Sequence, residues 1–240
     1  MVAGIMKNLS QIIALLCLCL FGCGPANSGD SLYDEANALY KAGKYREAKE
    51  KMILAYADVG SSDKDRVLHL RSLSGISLGL QENDKAIEYA NEILAHAGND
   101  DDRGVAYNNL GLAYANKGEY DRAIGYYEKA LAIQLKSLGP EHPSVGLSYN
   151  NLGSAYYNKG EYDRAIGYYE KALAIALKSL GPEHPDVGLS YNNLGLAYAQ
   201  KGDKVKGMGY LLKAKAICIK RLGPDHPNTK TVQATIDGFK

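Results

Sequence analysis

The 240-residue sequence predicts an all-α chain made of one helical hairpin written several times. Three observations carry this. The tetrapeptide Asn-Asn-Leu-Gly begins at residues 108, 150 and 192, at intervals of 42. Residues 104–145 match 146–187 at 36 of 42 positions, which marks a tandem duplication. Within the unit, apolar and small residues recur at helical rather than alternating spacing. Composition agrees: Trp is absent and Phe occurs twice, while Tyr occurs 19 times, as expected if one motif has been copied.

The bulk properties exclude several classes. With 46% hydrophobic residues the chain is too apolar for a disordered segment. A net charge of +1 leaves no basic footprint for nucleic acid. Cys17, Cys19 and Cys23 lie at the extreme N-terminus and Cys218 near the other end, so neither a disulfide framework nor a CxxC zinc pattern can be drawn.

The first element is an address. Residues Leu9 to Phe21 form an apolar run of thirteen preceded by Lys7, shorter than the roughly 20 residues a spanning helix needs but suited to a secretory signal. Either Met1 or Met6 can serve as the start. At the end of the run, Leu20-Phe21-Gly22-Cys23 resembles the lipobox of bacterial lipoproteins. The resemblance implies cleavage after Gly22, lipidation of Cys23, and residues 23–30 as lipidated cysteine and flexible tether. Two or more acyl chains make a stable anchor where one is marginal. Gly24 after the cysteine favours the outer membrane of a Gram-negative envelope, with the rest of the chain in the periplasm or on the cell surface.

Next come the hairpins. Tyr107, Leu110, Gly111 and Tyr114 share one side of a first helix, and Lys117-Gly118 breaks it. Tyr120, Ala123, Ile124, Tyr127, Ala130 and Leu131 share one side of a second, and Leu138-Gly139-Pro140 ends it. His142-Pro143 opens the following unit, because Pro fits a first helical turn. Gly111, Gly153 and Gly195 remove side chains where two helices approach. Gly125, Gly167 and Gly209 stand mid-helix, where each costs about 1 kcal/mol relative to Ala; close packing is the simplest expectation for them.

These offsets resemble the tetratricopeptide repeat, in the 42-residue form of kinesin light chain-like proteins. The resemblance implies an α-solenoid, a right-handed superhelix of about five helix-turn-helix repeats over 31–227, with units near 29–62, 67–100, 104–137, 146–179 and 188–221. Residues 228–240 suffice for a C-terminal capping helix. The fifth unit has Lys204, Gly207 and Leu211 where Tyr, Ala and Tyr stood, and reads as a worn copy near an end. Residues on the side of each first helix opposite the core would line a concave groove: Val105, Asn109, Leu112 and Asn116, then Leu147, Asn151, Ser154 and Asn158, then Leu189, Asn193, Leu196 and Gln200, with Tyr157 flanking. Asn109, Asn151 and Asn193 would stack as a ladder able to bond peptide N–H and C=O groups, the alternatives being that they bond within the solenoid or face water as inherited copies. No Lys or Arg stands in this row, which argues against a carboxylate clamp and for an internal or neutral peptide.

The expectation is therefore a membrane-anchored, non-catalytic scaffold holding a protein or peptide partner, with no cofactor, metal, nucleic acid or small-molecule substrate. An adaptor of a secretion or pilus machine, a self-associating structural protein and an enzyme with an unrecognised site are the alternatives. His142, His184 and His226 recur with the repeat, about 10 Å apart by helix-packing distances, too far to share a zinc ion that needs donors at about 2 Å. Helix capping is their expected role. Cys218 reads as a packed thiol, and Lys117, Glu119, Asp121, Arg122, Glu128 and Lys129 as a solvated face.

Overall fold

The computed structural model describes residues 31–57, 59 and 62–238. The apolar run, Cys23 and the tether therefore lie outside the described residues. Eleven helices follow in order: α1 Ser31–Lys41, α2 Tyr45–Ala57, α3 Asp63–Gly79, α4 Asn83–His96, α5 Asp100–Asn116, α6 Tyr120–Leu138, α7 Pro143–Asn158, α8 Tyr162–Leu180, α9 Pro185–Lys201, α10 Lys204–Leu222 and α11 Pro227–Asp237. Among the described residues there is no strand, and no helix is long and apolar enough to cross a membrane. The chain divides into two compact units at Ser137 and Leu138, the first holding α1 to α6 and the second α7 to α11.

Helix boundaries follow local chemistry. His142, His184 and His226 are the N-caps of α7, α9 and α11, each followed by Pro in the first turn. Each ring accepts through Nδ1 from the backbone N–H two residues on, at 3.2 Å, so the proton of the neutral ring sits on Nε2. The histidines thus have the capping role expected of them. Within hairpins the chain reverses through a left-handed residue such as Gly118, while the N–H of Glu119 returns to the carbonyl of Tyr114 at 2.9 Å. In the second repeat Gln81 occupies the same turn at φ 63°, the one described non-glycine residue in that region.

Packing inside each of the last three hairpins is set by a glycine beneath a large side chain. A Cβ on Gly111 would stand 2.5 Å from the Tyr127 ring, and one on Gly153 2.6 Å from that of Tyr169. The fifth repeat solves the same problem differently. Leu211 replaces the tyrosine over Gly195, and Gly207 replaces the alanine, so close to α9 that an added Cβ would stand 2.7 Å from the Gly195 carbonyl oxygen. The smaller side chain thus comes with a closer backbone approach, so the worn copy is a repacked one.

In the first unit the core joins Tyr33, Ala36 and Tyr40 of α1 to Ala48, Met52 and Ala55 of α2 and to Leu73 and Ile76 of α3. In the second, α11 closes over α10 through Val232 and Ile236 against Leu211, Ala214 and Cys218. Cys218 is fully buried, and burial pushes its thiol pKa up, as suits a packing residue. The mid-helix glycines depart from expectation. Among the described residues nothing stands within 4 Å of a Cβ built on Gly125, Gly167 or Gly209, so close packing among them does not account for these glycines. Two substitutions separate the two kinds of glycine. Gly153→Ala should destabilise by about 1–3 kcal/mol through overpacking, whereas Gly167→Ala should stabilise by about 1 kcal/mol, both read by urea denaturation.

Candidate functional site

The three asparagines proposed as a ladder occupy the helix positions expected, but the structure corrects their surroundings. Asn109 is 6% exposed, Asn151 1% and Asn193 7%. In the first unit the Asn109 amide donates to Ser74 Oγ on α3 at 3.1 Å, and Ser74 donates onward to the Ala86 carbonyl at 3.2 Å. In the second, the Asn193 amide donates to Asn150 Oδ1 on α7 at 2.9 Å. The physical reason is that this helix position sits at the contact with the first helix of the preceding repeat. A buried amide there spends its donor on the neighbour, which couples consecutive repeats rather than leaving a free rung.

The pairing has a visible end. Asn192 stands in α9 where Asn150 stands in α7, yet its Oδ1 is buried without a hydrogen-bond partner among the described residues. In the 42-residue register, Thr235 of α11 takes the place of Asn193, but its hydroxyl donates to the Thr231 carbonyl of its own helix at 3.0 Å. The donor that would satisfy Asn192 is missing.

The rest of the predicted row differs between units. In the first, Val105 and Leu112 are buried, and half-buried Asn116 donates to Asn83 Oδ1 at 3.1 Å. In the second, Leu147, Ser154 and Tyr157 on α7 and Leu189 and Leu196 on α9 are half-buried, while Asn158 and Gln200 are exposed at the helix ends. Ser154 shares a hydrogen bond with the hydroxyl of Tyr169 at 3.1 Å, and burial pushes the Tyr157 phenol up. The accessible part of the row is therefore an uncharged, leucine-bearing face of α7 and α9.

Sequence reasoning missed a second periodic feature. In each of the last three repeats one second-helix tyrosine packs against two first-helix tyrosines, stacked in every pair except the tilted Tyr149–Tyr168. Tyr126 lies 6.2 Å from Tyr107 and 5.4 Å from Tyr114, Tyr168 lies 6.1 and 5.4 Å from Tyr149 and Tyr156, and Tyr210 lies 5.9 and 5.5 Å from Tyr191 and Tyr198. Cations cover these columns. Arg122, Arg164 and Lys206 sit 3.9, 4.4 and 4.0 Å over Tyr114, Tyr156 and Tyr198, and Lys129, Lys171 and Lys213 lie over the remaining rings. Arg122 and Lys129 thus do more than face water. The seven-residue spacing of Tyr107 and Tyr114, with Tyr126 and its two cations in the next helix, was the signal available.

The amide pair makes a stability prediction. Asn193→Ala leaves Asn150 Oδ1 without its donor, and should cost about 1–3 kcal/mol in urea denaturation. A double-mutant cycle with Asn150→Ala should return a coupling of about 0.5–3 kcal/mol, against none if the two amides act separately.

Comparison with known proteins fits this architecture. Tetratricopeptide repeat models match residues 33–103, 102–176, 147–206 and 187–228. No curated protein sequence matches the chain. Among solved structures, BtubC (BKLC) from P. vanneervenii is similar, with a TM-score of 0.69 and 27% identity over 82% of this chain and 81% of that one. A putative kinesin light chain of Podosopora anserina with nearly identical repeats gives a TM-score of 0.66 and 26% identity, over 80% of this chain and 95% of that one. A Rap protein complexed with competence and sporulation factor shares the fold alone, with a TM-score of 0.64 and 14% identity over 87% and 63% of the two chains. With helical hairpins at 42-residue spacing, a glycine under a large side chain in each of the last three, and repeat models covering nearly all the described residues, the chain belongs to the tetratricopeptide repeat family, an α-solenoid scaffold for protein interaction.

Proposed function

We propose that the chain holds an extended, uncharged segment of a partner protein against the first helices α7 and α9, and that acyl chains on Cys23 keep it at a bacterial membrane surface. The observation that carries the first part is the set of three half-buried leucines, Leu147 on α7 with Leu189 and Leu196 on α9, in rows that end in the exposed amides of Asn158 and Gln200. Leucine side chains that still meet water gain by covering, at about 25 cal/mol per Å² of apolar surface removed from solvent. Amides at the helix ends can both donate to and accept from a peptide backbone. With no cation or carboxylate in the row, a charged chain terminus has no counter-charge there, so an internal apolar segment fits best.

The anchoring rests on the sequence, in the lipobox-like Leu20-Phe21-Gly22-Cys23 after an apolar run. Outer-membrane sorting follows from Gly24 if the cell has such a membrane.

Leu189→Asp together with Leu196→Asp should abolish partner capture in crosslinking from native envelopes while helicity by circular dichroism is kept. Undiminished capture would refute the α7–α9 face. Separately, Cys23→Ser should release the protein from membranes, and continued attachment of labelled fatty acid would refute lipidation there.

A further inference from the structure

Helix α10 carries a second surface, independent of the leucine face. Val205, Leu212 and Ile219 are exposed by 87, 53 and 41%. They stand seven residues apart, so they form one stripe along nearly the whole helix, with exposed Gly209 and Ala216 between them. On α8 the matching positions are Asp163, Glu170 and Leu177. There the two acids meet the following first helix: Asp163 pairs with Lys201, and Glu170 accepts from the Tyr198 hydroxyl at 3.0 Å. In the fifth repeat both acids have become apolar, and α11 packs instead on Leu211, Ala214 and Cys218.

Charge changes with them. Helix α10 contains Lys204, Lys206, Lys213, Lys215, Lys220 and Arg221 and no acidic residue, whereas α8 balances Arg164, Lys171 and Lys178 with Asp163 and Glu170. Lys206, Lys213 and Lys220 are themselves seven apart and run beside the stripe, with Lys204 and Lys215 on its other side. Glu183 pairs with Lys220 and Arg221, while Lys206 lies over Tyr198 and donates to its hydroxyl, near Glu170. Gly209 adds a shape argument. Its place mid-helix costs about 1 kcal/mol relative to Ala and serves no contact among the described residues, but it leaves a hollow between Val205 and Leu212.

We infer that this face of α10 docks an amphipathic helix of a partner protein, one with apolar residues at seven-residue spacing and Asp or Glu on both flanks. Large residues alternating with a glycine or alanine hollow accept the side chains of a packed helix. Lysines on either side select an acidic partner and repel a basic one. A second copy of α10 would bring the same six cations against these. A lipid surface has no use for hollows, and the stripe holds no aromatic side chain to seat in headgroups.

The test uses the full chain and a labelled synthetic helix of about three heptads, with leucines on its seam and glutamates on its flanks, against a twin carrying lysines there. Fluorescence anisotropy should show the glutamate peptide binding at least about tenfold more tightly than the lysine twin, and weakening as salt rises. Val205→Asp with Leu212→Glu restores the residues of α8, so the fold should persist by circular dichroism while that affinity falls at least about tenfold. The inference is overturned by absent binding, by equal affinity for the two peptides, or by indifference to the substitutions. Stripe-dependent binding to phosphatidylglycerol vesicles, or stripe-dependent dimerisation in sedimentation, would overturn it equally.

Discussion

Everything else in this chain depends on how closely two helices of one hairpin can approach. Gly111 and Gly153 have no side chain because the rings of Tyr127 and Tyr169 lie where it would be. The contact fixes the rotation of each second helix against its first, and that rotation decides which residues face the next repeat. Tyr127 and Tyr169 are only 2 and 3% exposed, so each ring exchanges a large apolar area for packing contact. Ala123 and Ala165, fully buried, keep the same approach open from the second helix.

The fifth repeat shows what this constraint allows. Losing the tyrosine would leave a void, and Leu211 alone could not fill it at the old spacing. Gly207 closes the gap by letting the helices move together. Divergence in the interior is therefore compensated pairwise, while divergence outside follows another logic. There Val205 and Leu212 stand exposed where α8 has Asp163 and Glu170, and α10 carries six cations to the three of α8.

Much of the fold could be read from the sequence because the repeat displays its own periodicity. The hairpins, their glycine turns, the histidine caps and the terminal helix all follow from residues whose effects are local. The asparagines could not be placed that way. A helical wheel states the angle at which Asn109 leaves its axis, but not that Ser74 of another helix stands at that angle. The same limit hid the cations: Arg122 is eight residues from Tyr114, on a different helix, and only the hairpin geometry brings guanidinium and ring together. The emptiness beside Gly209 was equally invisible, since a glycine in sequence does not say whether it makes room for a neighbour already present.

The stacked tyrosines have an optical consequence. The chain has no tryptophan to dominate its near-ultraviolet spectrum. In repeats three, four and five, nearly parallel phenol rings at 6, 4 and 17° join first helix to second. Their coupled electronic transitions report on hairpin closure itself, so the native chain carries an intrinsic chromophore for the very contact on which it is built.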